Sequence, residues 1–226
     1  MKILITGAGR GGLSLAVHLQ GAGHDVTVIE RDVAITQRAA NEHGLVVLVG
    51  DATSSEVLEQ ADPRRADAVL AMLHRDADNL AVAMLARKLG AKRVMVRMRD
   101  PAYREVYESA GVRQILSETE ILVGALATAV ELEAVRHSMV LGSGAAIAVE
   151  IEVLADAWVV GRAVSEIAQE PSFPASCVVA GMTLDGAVHA PRGGAVIEAG
   201  MQLLLVSSRP DLPAAVEFFR RPGEGR

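Results

Sequence analysis

The chain has 226 residues, half of them apolar and 22% charged, enough for a sizeable core in one large domain or in one medium and one small. A formal net charge of −6 leaves no basic field for general nucleic-acid binding. Cys177 is the only cysteine, which excludes an intrachain disulfide or a thiolate metal cluster and suits a reducing compartment. Aromatic residues make up only 3%, so the core is expected from Val, Leu, Ile, Ala and Met.

Lys2–Thr6 (KILIT) is a short apolar, β-branched run that stops at a glycine, as a buried parallel strand does. Residues 13–20 follow with helical spacing, Leu15, Ala16 and Leu19 on one side, until GAGHD (21–25) breaks them. Further strand-like runs come at 26–30 (VTVIE), 46–49 (VVLV), 68–72 (AVLAM), 93–96 (RVMV) and 114–116 (QIL). Helical stretches lie between them, notably 79–89 and 101–110. Strands separated by helices at this rhythm predict right-handed crossovers and a Rossmann-like, doubly wound parallel sheet of the α/β class.

Residues 117–136 read as one long helix. Ser117 with Glu120 makes a capping box, and Ile121, Leu122, Ala125, Leu126, Ala129 and Val130 form an apolar stripe. GSG at 142–144 reads as a hinge. Strand-like runs at 145–153, 177–182 and 202–207, a short helix near 162–169 and a last helix near 212–219 then predict a small α+β module. The expected division is 1–116 for the sheet domain, 117–141 for a linking and self-association helix, and 142–226 for the small subdomain. The start lacks a basic, apolar leader pattern, and the run at 121–130 is half of the ~20 residues that a membrane span needs. A soluble, cytoplasmic protein is expected.

The stretch ITGAGRGG (5–12) places Gly7, Gly9 and Gly12 in G-x-G-x-x-G between a strand and a helix. The first glycine permits the tight turn, the second lets backbone approach a diphosphate, and the third lets the helix pack on the strand. Amides of Ala8, Arg10 and Gly11 sit where a helix start meets phosphate. Glu30, with Arg31 beside it, closes the second strand eighteen residues past Gly12. Its carboxylate can accept from both ribose hydroxyls and would repel a 2′-phosphate. There is no G-K-[ST], and the only lysines are Lys2, Lys88 and Lys92, so phosphate charge falls to backbone amides and to Arg10. Arg97 ends the fifth strand at the ligand-binding edge of such sheets, where a phosphate contact and a structural salt bridge are both open.

GAGRGG and Glu30, then GDAT (50–53), ADAVLAMLHRDADN (66–79) and VRMRDPAY (96–103), follow one another in the order that resembles the RCK (regulator of K⁺ conductance) domain of Trk- and Ktr-type potassium-uptake regulators. WVVGRAVSEI (158–167) and APRGGAVIEAGMQLLLVSS (190–208) resemble the C-terminal subdomain of that family. The resemblance implies that Asp51 and Ala52 border an adenine and that Leu73 and His74 line the adenosine and its ribose. Asn79 is expected to orient its loop. It further implies NAD(H) or ATP/ADP as ligand, with cyclic di-AMP bound by the small subdomain of some relatives. Self-association as a dimer, eight lobes in a ring beneath a potassium-transporting membrane subunit, and a place at the inner face of the membrane through that partner also follow from it. Some relatives bind a divalent cation near the position of Glu120, but the capping box accounts for this acid without metal.

A nicotinamide-dependent dehydrogenase is the alternative, and it would need an acid or base held against a reacting carbon. The small module offers only His189, and no Tyr-x-x-x-Lys pair follows Tyr103 or Tyr107. The six histidines show no metal-ligand spacing. A regulatory subunit, which needs only differential affinity of a ligand for two states, is the expected function, with no catalytic residue and no metal.

Overall fold

The computed structural model describes residues 1–141 and 144–223. It divides into two compact units, 1–119 and 120–226.

In the first unit the elements run β1 (Lys2–Thr6), α1 (Arg10–Gly21), β2 (Asp25–Glu30), α2 (Val33–His43), β3 (Val46–Val49), α3 (Ser55–Gln60), β4 (Ala68–Ala71), α4 (Asp76–Lys88), β5 (Val94–Met98), a 3-10 turn at Pro101–Tyr103, α5 (Arg104–Ser109) and β6 (Gln114–Ser117). All six strands are parallel, in the order β3-β2-β1-β4-β5-β6, which is the doubly wound sheet the sequence predicts. Alternation within β1 feeds both faces. Ile3 and Ile5 pack with Ala16, Val28 and Ala39 on the α1–α2 side, while Leu4 packs with Leu58, Val82, Ala83 and Tyr107 on the other. The order reverses between β1 and β4, so their carboxyl ends diverge and leave a crevice there.

That edge is braced by two buried polar side chains on α4. Asn79, fully buried, accepts from the Leu73 amide at 2.7 Å and donates to the carbonyls of Leu73 and Arg97, both at 3.0 Å. It therefore fixes the segment after β4 against the end of β5, the orienting role expected of it. Asp76 accepts from the amides of Arg99 and Asp100 and from the Tyr107 hydroxyl. Burial and the adjacent carboxylate push the Tyr107 hydroxyl far above the usual tyrosine range, so it stays a donor at any ordinary pH.

The chain then passes through α6 (Glu118–Glu131) into the second unit: β7 (Val135–Leu141), β8 (Ala146–Glu152), α7 (Val164–Ala168), β9 (Val178–Leu184), β10 (Ala187–His189), β11 (Gln202–Ser208) and α8 (Leu212–Arg220). Its five strands form an antiparallel sheet in the order β10-β9-β11-β8-β7. Ile147, Val149 and Ile151 of β8 alternate inward and meet Leu203 and Leu205 of β11 under the apolar face of α8. The three phenylalanines and the one tryptophan of the chain gather here, Phe218 meeting Trp158, Phe173 and Phe219 edge-on at 5.0–5.3 Å.

The long helix expected over 117–136 is shorter. Ser117 ends β6, α6 stops at Glu131, and Val135 and Arg136 belong to β7. Neither glycine nor proline marks the stop in ELEAVRHSMVL, so the apolar spacing reads on. Pairing with β8, which buries Val135 against Ile151, overrides it. The hinge reading at 142–144 falls mostly on residues outside the described ones. Among the described residues no helix is long and apolar enough to cross a membrane.

Two outcomes are expected. Replacing Asn79 with Ala takes the partner from the Leu73 amide and the Arg97 carbonyl and leaves the Leu73 carbonyl with Arg97 alone, so urea unfolding of N79A should show a loss of about 2–4 kcal/mol, most of it absent in an exposed control such as Arg38→Ala. Burial pushes the Cys177 thiol up to about 11, and the side chain is 4% exposed. Native protein at pH 8 should therefore resist iodoacetamide over hours while urea-unfolded protein reacts within minutes, by mass spectrometry.

Candidate nucleotide-binding site

Gly7, the first residue past β1, has φ +94°, a backbone conformation that side-chain-bearing residues rarely adopt, and its amide donates to the Ile29 carbonyl at 2.8 Å. Gly12 lies on α1 directly against it: a Cβ there would come within 2.0 Å of the Gly7 carbonyl oxygen. Gly9 caps α1 with extended backbone, and a Cβ on it would meet nothing within 4 Å, so its surface is open for a ligand to approach. The first intrahelical bond of α1 runs from the Leu13 amide to the Gly9 carbonyl, and no side chain caps the helix. The preceding amides of Arg10, Gly11 and Gly12 thus present donors and the positive end of the helix dipole. Gly7 and Gly12 thus show the tight turn and the close packing that the motif predicts, and Gly9 leaves open space beside them.

Glu30 is tied into the same turn. One carboxylate oxygen accepts from the Ala8 amide at 2.7 Å, and the other from the amides of Arg31 and Asp32 at 2.9 and 3.0 Å. The Glu30 carbonyl in turn accepts from the Gly50 amide, which carries the chain from β3 into GDAT. There Asp51 accepts from the amide and hydroxyl of Thr53 at 2.9 and 2.7 Å. Those two bonds, with Arg31 nearby, hold its carboxyl below the usual range. Ala52 is buried.

Across the crevice Leu73 packs beside Gly7, and its carbonyl accepts from Arg97 at 2.9 Å. The Arg97 guanidinium reaches the first turn of α1, within 4.0 Å of the space a Gly11 side chain would take. Its other terminal nitrogen faces the Glu118 carboxylate at 3.4 Å, so the salt bridge considered for it is present. Its Nε is buried without a partner. His74 is exposed and its Nε2 lies 2.8 Å from Arg99. Arg10 and Arg31 are exposed at the rim. Gly7, Ala8, Gly12, Glu30, Leu73 and Arg97 thus converge on the crevice between β1 and β4, with Asp51 and Ala52 following β3 and His74 at the margin.

Sequence reasoning singles out neither Asp76 nor the trio Arg97, Arg99 and Glu118 as a cluster. Asp76 is the first residue of the D-x-x-N stretch (76–79), so its signal is present, but burial alone tells a brace from a solvated acid. Glu118 lies nineteen residues past Arg99 and further from Arg97, and the parallel pairing of β5 with β6 brings them together.

A family model described as the TrkA-N domain matches residues 3–118, and one described as the TrkA-C domain matches 148–220. The chain is 28% identical over 219 residues to a Trk system potassium uptake protein TrkA homolog of Methanothermobacter thermautotrophicus, covering 97% of this chain and 99% of that one. It is 30% identical over 226 residues to the Archaeoglobus fulgidus homolog, of which it spans 50%, and 31% identical over 184 residues to TrkA of Vibrio alginolyticus, of which it spans 40%. Among solved structures, the GsuK channel aligns over 99% of this chain and 40% of its own at TM-score 0.69 and 20% identity. The GsuK channel bound to NAD aligns at TM-score 0.67 and 20% identity, over 100% of this chain and 40% of that one. At these identities the structural likeness concerns the fold. The amino-terminal family match spans more than half of the sequence, and the chain belongs to the TrkA family of RCK-domain proteins.

Proposed function

We propose that this chain is a nucleotide-sensing regulatory subunit of a Trk/Ktr-type potassium-uptake system, cytoplasmic and held at the membrane by a potassium-transporting partner. The observation that carries the reading is the glycine turn, whose orphan amides and open Gly9 surface face the crevice beside Glu30. This chemistry fits an adenosine bearing a pyrophosphate. The α1 amides and Arg10 would hold phosphate, Glu30 the ribose hydroxyls, and Leu73 with Ala52 the flank of the base. NAD(H) and ATP/ADP share that moiety. Relatives named as potassium-uptake components, and a structural neighbour described as bound to NAD, support the same reading.

Signalling here asks for a difference in ligand affinity between two arrangements and for no bond to be made or broken. Self-association is supported by α6, whose Ile121, Leu122, Val123 and Leu126 are more than half exposed and whose Val130 is 86% exposed. A dimer built on this helix, repeated into a ring, would bring several copies of the site under one membrane partner.

Titration calorimetry of ADP, ATP and NAD against wild type, Glu30→Ala and Arg10→Ala tests the site. E30A should weaken all three about tenfold or more through loss of the ribose acceptor and of the anchor for Ala8. R10A should weaken ATP selectively; equal losses for the three ligands would overturn a terminal-phosphate role for Arg10. Absence of adenylate binding to wild type, or steady oxidation of NADH with candidate carbonyl substrates, would overturn the sensor.

A further inference from the structure

We infer that Glu118 is an internal competitor for the anion site, so that ligand phosphate and the first turn of α6 contend for the same arginine. The inference rests on the nucleotide reading above and adds its regulation. Its carboxylate lies 3.4 Å from the Nη1 of Arg97 and 3.6 Å from the Nε of Arg99. Two guanidinium groups thus share one carboxylate, which leaves this trio with a net positive charge suited to a further anion.

Arg97 is held in place independently of Glu118. Its Nη2 donates to the Leu73 carbonyl, which Asn79 also clamps, so the guanidinium stays at the crevice whether or not the acid is present. The nitrogen facing Glu118 is the one beside Gly11, where the unpaired amides of α1 point. A phosphate received by those amides therefore enters the field of the same nitrogen, and its charge opposes the Glu118 carboxylate across a few ångströms.

Glu118 is the first residue of α6, and the next residue holds the same strand end: the Thr119 hydroxyl donates to the Arg99 carbonyl at 2.6 Å. The start of α6 is thus tied to the last residues of β5 and their continuation by the ion pairs of Glu118 with Arg97 and Arg99 and by the Thr119 hydrogen bond. Ligand charge that engages the Arg97 nitrogen facing Glu118 weakens this tie. By reciprocity, any state of α6 that withdraws Glu118 raises affinity for the anionic ligand. Arg99 is the second half of the device. Its Nη1 contacts His74 while its Nε faces Glu118, so when the ligand engages Arg97 the acid retains one partner and the helix start is loosened rather than released.

The test compares wild type, Glu118→Gln and Glu118→Asp. E118Q should bind ADP about three- to fivefold more tightly than wild type, the scale of a part-exposed ion pair, and E118D should return toward wild type. Adenosine, which has no phosphate, should bind all three equally. Hydrogen exchange of unliganded E118Q should be faster than wild type over residues 118–126. Unchanged or weaker ADP binding by E118Q, an equal gain for adenosine, or unchanged exchange would each overturn the competition. If wild type binds neither ADP nor adenosine, the nucleotide reading itself falls; if it binds ADP and E118Q binds it no better, the competition alone falls.

Discussion

The bond from the Ala8 amide to the Glu30 carboxylate joins the two strand ends on which the proposed site is built. The turn after β1 must leave amides free if it is to receive an anion, and a loop with unpaired donors has few internal bonds to fix its shape. Glu30 supplies the missing constraint from the neighbouring strand. Its two oxygens take three amides from two segments, so turn and strand end move as one body. The close seat of Gly12 on the Gly7 carbonyl does the same from the helix side. The turn is rigid through contacts made behind it, which leaves its open side for a ligand.

The same logic runs along the rest of the crevice. Asn79 and Asp76 are polar residues spent on backbone groups of adjacent segments, and neither points at open space. With the three lysines elsewhere in the sequence, positive charge at this edge comes from arginines and helix amides. An arginine suits the place because it can remain anchored through one nitrogen and offer another, as Arg97 does between Leu73 and Glu118.

Most of the sheet was legible because the strands of the first unit are short, largely apolar runs separated by stretches of helical spacing, and each glycine of the motif has a separate steric reason. Glu30 was legible as an acid at the end of β2, but its hold on Ala8 was not, since spacing along the chain says nothing of which amide a carboxylate selects. The stop of α6 was illegible for a different cause. The residues from Ser117 to Arg136 contain no glycine or proline except Gly124, and their apolar spacing serves a helix and a strand alike. What ends the helix is β8, whose Ile151 receives Val135. Gly124 itself has a use that only the fold discloses: a Cβ there would meet Val140 of β7 at 2.7 Å, so the glycine admits the strand that follows.

The lone-pair count at Glu30 sets a further condition on any ligand. A carboxylate offers about four acceptor positions, and three donors already occupy it. A ribose diol brings two more donors, so at least one amide bond must be shared or given up when the sugar arrives. The amides of Arg31 and Asp32 crowd a single oxygen at the start of α2, whereas Ala8 has the other oxygen to itself. Sharing is therefore easier on the Ala8 side, which is also the side of the phosphate turn. Ribose and phosphate would then be felt by one backbone segment, 7–12. That segment faces Arg97, so a change at the sugar and a change at the phosphate reach the same guanidinium.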